Sequence, residues 1–154
     1  MKIPYIKDLE EWKAGFDFYY PVKVRFSETD LFGHLNNTVP FIYFEQARIE
    51  FLKHLGFMQN WLQTSHESIP VVANLQCDFL KQVFFDQELK VYVKAESVGN
   101  SSVDIHYLGT NAESEPVFCG RGTMVQMGKA TGKGVPWTDQ QKELLLKPSL
   151  KIDV

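Results

Sequence analysis

Between Pro40 and Leu55 the apolar residues recur with the period of a helix, and from Val71 to Met127 they alternate with the period of a strand. No other feature of the chain constrains the fold as much. The helical arc holds Phe51, Phe44, Leu55, Phe41, Leu52, Ile49 and Ile42. Before it, "VKVRFS" sets Val22, Val24 and Phe26 against Lys23, Arg25 and Ser27, the pattern of a half-buried strand. After it come four alternating runs. Val71, Ala73, Leu75, Cys77 and Phe79 share a face of the first; Leu89, Val91, Val93 and Ala95 share a face of the second. Val103, Ile105 and Tyr107 align in the third, and Val117, Cys119, Thr123, Val125 and Met127 in the fourth. The turn-forming stretches "VGNSS" and "GTNAESEP" separate the last three runs, which predicts an antiparallel meander. Such a sheet must cover one face, and a single long helix can do that. The expected class is α+β, in one domain over residues 1–154. A further short helix is expected at Asp139 to Leu146, within a Gly-, Lys- and Pro-rich tail.

Composition narrows the function. A chain of 154 residues can bury a core without disulfides or metals. It is 44% hydrophobic and 23% charged with a net charge of −3, a mild acidity that argues against nucleic acid or an anionic membrane as partner. No apolar run approaches the ~20 residues that span a bilayer. The opening "MKIPYIKDLEEWKAG" is charged and lacks the apolar core of an export signal, so a cytoplasmic location is expected. Cys77 and Cys119, the only cysteines, sit in strand-like runs and read as small buried hydrophobes in reduced form. Their separation gives no zinc spacing, and no metal is expected. "GKATGKG" is one residue short of a phosphate loop and follows the last strand, so neither a nucleotide site nor an organic cofactor is expected. Lys129 and Lys133 within it remain as plain charges able to meet phosphates.

Chemistry-bearing residues crowd the approach to the helix: Asp30, Gly33, His34, Asn36, Asn37 and Thr38 in "DLFGHLNNT". Asn37 or Thr38 is a natural N-cap, and Pro40 fits the first turn because its missing N–H would be unpaired there anyway. Free amides and the helix macrodipole favour an anion or a developing oxyanion at that end. Gly33 allows close backbone approach or a positive φ. Asp30, expected at the end of the preceding strand, would face those donors. A carboxylate opposite an oxyanion pocket is what acyl transfer needs. Loop Asp, Asn and Gly also simply build turns, and the residues alone leave both readings open. Glu45 and Arg48 project inside the apolar arc, where a charge is costly unless paired or functional. Either they form an i,i+3 ion pair, or Glu45 reaches a site at the edge of the core. Ser101 and Ser102 read as turn residues or as substrate contacts across a subunit boundary. His54, His66 and His106 lack a triad-like context.

The stretch "VRFSETDLFGHLNNTVPFIYFEQARIEFL" resembles the signature of hotdog-fold acyl-CoA thioesterases of the 4-hydroxybenzoyl-CoA thioesterase-like group. In that group a strand leads to D-x-x-G-H-x-N-N and then to a helix bearing Y-x-x-Y-x-E-x-A-R. Asp30, Gly33, His34, Asn36, Asn37, Tyr43, Glu45, Ala47 and Arg48 fall in register, while Pro40 stands where the family has an aromatic. The resemblance extends to about 21–137, leaving 1–20 as an N-terminal extension and 138–154 as a tail. It implies a helix wrapped by a curved sheet of about five strands, a homodimer formed by continuing the sheet, and often a tetramer. Sites would lie between subunits at the N-terminal end of the helix. Asp30 would attack the thioester or activate water, with helix-start amides as the oxyanion hole and His34, Asn36 and Asn37 shaping the site. Gly33 and Thr38 would border the substrate, and Glu45 remains an alternative carboxylate. The implied reaction is hydrolysis of a hydrophobic acyl-CoA without metal or cofactor. The alternatives are an acyl-[carrier protein] thioesterase and a non-catalytic acyl-thioester binding module.

Overall fold

A computed structural model describes residues 2–147. Helix α2 runs Val39–His54, one residue ahead of the expected span, with Thr38 as N-cap and Pro40 in its first turn. Five strands accompany it: β1 (Phe18–Lys23), β2 (Ser68–Phe79), β3 (Glu88–Val98), β4 (Ser102–Thr110) and β5 (Pro116–Gly128). They form one sheet in the order β1-β3-β4-β5-β2, every neighbouring pair antiparallel. The meander of the last three strands and the α+β class are as expected. The main core lies between α2 and one face of the sheet, where Phe44, Phe51 and Leu52 meet Val91, Val93, Ile105 and Tyr107.

The first strand is displaced from its expected place. β1 ends at Lys23, and Phe26–Glu28 form a 3-10 turn that the Arg25 N–H closes by donating to Glu28 Oε1 at 2.8 Å. Phe26, expected to point inward, is therefore 76% exposed. In β2 a bulge between Val72 and Asn74 interrupts the alternation and sets Val71 on the face opposite Leu75 and Cys77, which pack against the core; Phe79, at the end of the strand, is 48% exposed.

Val117 reaches the main core as expected, but from Phe118 on β5 turns the other way from its expected face. Phe118, Gly120, Gly122 and Met124 point towards α2, and Cys119 lies on the opposite side of the sheet. Two glycines blanked the hydrophobic signal of the inward set. They are needed there: a Cβ on Gly120 would stand 2.5 Å from the Phe44 ring.

The N-terminal extension has a structural task that its sequence did not announce. Asp8 caps α1 (Leu9–Ala14), accepting from the Glu11 amide. Ile3, Trp12 and Phe16 then cover Leu108 and Cys119 on the outer face of the sheet. Helix α3 (Phe57–Trp61) follows α2, and α4 (Asp139–Leu146) occupies the predicted span behind a Thr138–Gln141 capping box. The tail beyond residue 147 lies outside the described residues. Among the described residues, no helix is long and apolar enough to cross a membrane.

Candidate active site

Glu28 anchors the approach to α2. Its carbonyl accepts the Asn36 N–H at 2.8 Å, and its Oε1 accepts both the Arg25 N–H and the Tyr43 hydroxyl, the latter at 3.0 Å. Burial, followed by this bond to a carboxylate, raises the Tyr43 pKa and keeps the phenol a donor. The loop is therefore tied to the helix it precedes.

Asp30 sits in a tight loop after the 3-10 turn, not at the end of a strand as expected. Its amide donates to the His34 carbonyl at 2.8 Å, and the Gly33 amide returns to the Asp30 carbonyl at 3.1 Å. Gly33 has φ +80°, the left-handed conformation that glycine adopts without a Cβ penalty. The Asp30 side chain completes the loop: Oδ1 accepts the amides of Phe32 at 2.9 Å and His34 at 3.1 Å. Oδ2 has no hydrogen-bond partner among the described residues. One oxygen is thus fixed by the loop and the other is not.

The helix N-terminus differs from the expected array of free donors. Asn36 Oδ1 accepts the Thr38 amide at 3.0 Å and the Thr38 hydroxyl at 2.9 Å, and the Asn36 carbonyl accepts the Val39 amide at 3.0 Å. Pro40 has no N–H. Asn36 and Thr38 therefore build the turn. The Asn37 amide makes no hydrogen bond among the described residues, and the macrodipole still favours negative charge beside it.

A cleft of about 400 Å³ opens here, lined by Asp30, His34, Leu35 and Asn37 and by Phe79 to Val83, Val117 and Phe118. Its far wall is clamped to the loop by the Leu35 N–H, which donates to the Val83 carbonyl at 2.7 Å. His34 stands edge-on to Phe84 with ring centroids 5.1 Å apart. Lys81 pairs with Glu115 at 2.7 Å, and both are about half exposed. Segment 79–83 and Phe118 escaped sequence reasoning because β2 and β5 must pair before they reach Asp30. The apolar run "DFLKQVFF" was the only cue.

The remaining candidates lie elsewhere. Glu45 is exposed and outside the cleft. The expected Glu45–Arg48 ion pair is absent among the described residues. Arg48 is buried and donates to the Tyr107 hydroxyl at 3.1 Å. The helix sets Glu45 outside the buried stripe of Tyr43, Phe44, Ala47 and Arg48, so only the arginine needed an internal partner.

Ser101, Ser102, Lys129 and Lys133 gather at the opposite end of the sheet. The Ser101 carbonyl accepts from the Gln126 amide, and the Lys129 amide donates to Glu67. The length of β4 sets Ser102 more than ~20 Å from the cleft of its own chain. No group of three His, Cys, Asp or Glu residues is placed to hold a metal among the described residues. Cys77 and Cys119 are free thiols, their pKa values raised by burial to about 12 and about 11.

Comparison with known proteins fits this geometry. The model of the thioesterase-like superfamily matches residues 24–145. The uncharacterised protein YsmA of Bacillus subtilis (strain 168) is 52% identical over 95% of this chain and 98% of its own. The acyl-CoA thioesterase YbgC of Haemophilus influenzae is 29% identical over 56% of this chain and 63% of its own. A thioesterase from Thermus thermophilus, solved with coenzyme A and zinc, superposes with a TM-score of 0.72 at 28% identity, covering 87% of this chain and 97% of that one. With a helix-wrapping sheet, an Asp30 loop at the helix start and a family match across most of its length, this chain belongs to the thioesterase-like superfamily of hotdog-fold thioester hydrolases.

Proposed function

We propose that the protein hydrolyses a hydrophobic acyl-CoA, with Asp30 as the catalytic carboxylate. The observation that carries this reading is the Asp30 carboxylate: one oxygen is held by two amides and the other has no partner among the described residues, in a cleft that apolar side chains line in part. The free oxygen attacks the thioester carbonyl or takes a proton from the attacking water. The Asn37 amide and the start of α2 stabilise the oxyanion as the C–S bond prepares to break. His34, on the cleft wall, orients the thioester.

The acting unit in this reading is a dimer. β2 is an open edge strand of 12 residues with Ile69, Val72 and Phe79 exposed along it. Such an edge pairs readily with another strand. Two-fold antiparallel pairing would lay the Ser68 end of one β2 beside the Phe79 end of the other. Lys129 of the partner subunit would then approach the cleft, where its charge suits a CoA phosphate, and Ser101, Ser102 and Lys133 travel with it. Free, reduced cysteines accord with a cytoplasmic setting.

The test is turnover of an acyl-CoA panel, with released thiol trapped by a dye, for the wild type and Asp30→Asn. An acyl-carrier-protein thioester is run in parallel. Hydrolysis of acyl-CoA that Asp30→Asn loses supports the reading. Turnover of the carrier substrate alone would move the assignment to that class. Binding without turnover would leave only a binding module.

A further inference from the structure

Phe118 belongs to two structures at once. Its ring is 1% exposed in the main core, and it also lines the cleft that holds Asp30. On the helix side it meets Phe44 edge-on at 5.7 Å and Tyr43 at 6.4 Å. On the sheet side it lies over Gly109, its register partner in β4. A Cβ on Gly109 would come within 2.6 Å of Phe118 Cζ and 2.8 Å of Cδ1, closer than real Cβ contacts come. The ring occupies the slot that this glycine leaves open, so Gly109 sets how far Phe118 stands back from the cleft.

Behind Phe118 lies packed core. Phe44 stacks on Tyr107 with centroids 4.5 Å apart, and Tyr107 is held by Arg48. An acyl chain passing Phe118 must displace a ring from a packed core, which resists added volume. Leu35, Phe79, Leu80, Val83 and Val117 give the apolar part of the lining before it, beside Lys81 and Gln82.

We propose that Phe118 is the floor of the acyl-binding part of the cleft and Gly109 the residue that keeps this floor back. Together they restrict the substrate to short or medium acyl groups, or to a single aromatic ring. This rests on the thioesterase reading and names the substrate class of that site. Phe118 touches the end of the acyl group; Gly109 is a positioning residue that acts through Phe118.

The experiment compares wild type, Phe118→Leu, Gly109→Ala and the double variant. kcat/KM is measured on acyl-CoAs from butanoyl to palmitoyl and on benzoyl-CoA. In parallel, calorimetry measures binding of the matching free carboxylic acids. One methylene in an apolar pocket is worth ~10–200-fold. Wild type should therefore lose activity steeply between octanoyl and palmitoyl. Phe118→Leu should raise the long-to-short ratio by about tenfold or more. Gly109→Ala should move the cut-off to shorter chains, and the double variant should regain length because alanine no longer meets the ring. Should Gly109→Ala fail to fold, Phe118→Leu and the double variant decide the matter. Chain-length profiles that stay at wild type in folded variants, or an absence of both turnover and binding in the wild type, would overturn the proposal. Shifted binding profiles in a protein that hydrolyses nothing would uphold the floor and reject the thioesterase reading.

Discussion

Asp30 Oδ1 is occupied by the Phe32 and His34 amides, so in the proposed reaction Oδ2 is the oxygen that meets the substrate. Asparagine keeps an acceptor oxygen for both amides and replaces the working oxygen with an NH2 group. Asp30→Asn should therefore melt like the wild type while kcat falls ~10²–10⁴, the usual cost of losing a general base and a lower figure than a lost nucleophile can give. Thermal melts and thiol release on the same preparation check both halves. Buried Arg48 and exposed Glu45 should respond differently to the loss of a partner. Tyr107→Phe keeps the ring stacked on Phe44 but strips the oxygen from a buried guanidinium, so urea unfolding should show a loss of about 1.5–3 kcal/mol. Exposed Glu45→Ala should change stability by less than about 0.5 kcal/mol. A large coupling between Glu45 and Arg48 in a double-mutant cycle would reject this assignment of partners.

Elements differ in how much of themselves they wrote into the sequence. Helix α2 was legible almost to the residue, because its period, Thr38 and Pro40 all point to the same start. The Asp30 loop was legible through Gly33 and its resemblance to a family motif. The inward face of β5 was not, because Gly120 and Gly122 serve by having no side chain. Nor was α1 readable as a partner of the sheet, since its contacts lie far along the chain. There Trp12 Nε1–H donates to His106 Nδ1 at 2.8 Å, and His106 Nε2 meets Asp104 Oδ2 at 3.0 Å. Arg121 pairs with Asp104, and Glu96, itself bridged to Lys94, stands 3.8 Å from His106 Nδ1. The Tyr5 ring packs against the imidazole as well. Burial lowers the His106 pKa from its ordinary 6.5 and outweighs the upward pull of Asp104 and Glu96; Arg121 lowers it further. Below that ordinary value the unfolded chain binds the proton that the folded one refuses. Stability contributed by this site should be complete above about pH 6.5 and decline as the pH falls. Melting temperatures across that range should show a decline that His106→Gln flattens.

For the whole molecule, the two open edges are unequal. β1 is six residues long with Pro21 inside it, whereas β2 has 12 residues and its proline, Pro70, near one end. Proline removes a ladder donor, so the stretch from Val71 to Phe79 is the better surface for a second copy. Light scattering at micromolar concentration should give twice the 17.8 kDa chain mass. Val72→Glu, which sets like charges near one another across a two-fold axis, should return it to one chain with loss of activity. A monomeric, fully active wild type would refute the dimer. Trp12 leaves the ribosome 94 residues ahead of His106, its partner in the folded state. At ~5–20 residues per second it waits roughly 5–20 s before that partner exists. β1 likewise waits for β3, and β2 for β5. The nascent chain therefore carries Trp12 and Phe16 uncovered until β4 has been made, and the sheet closes only after β5.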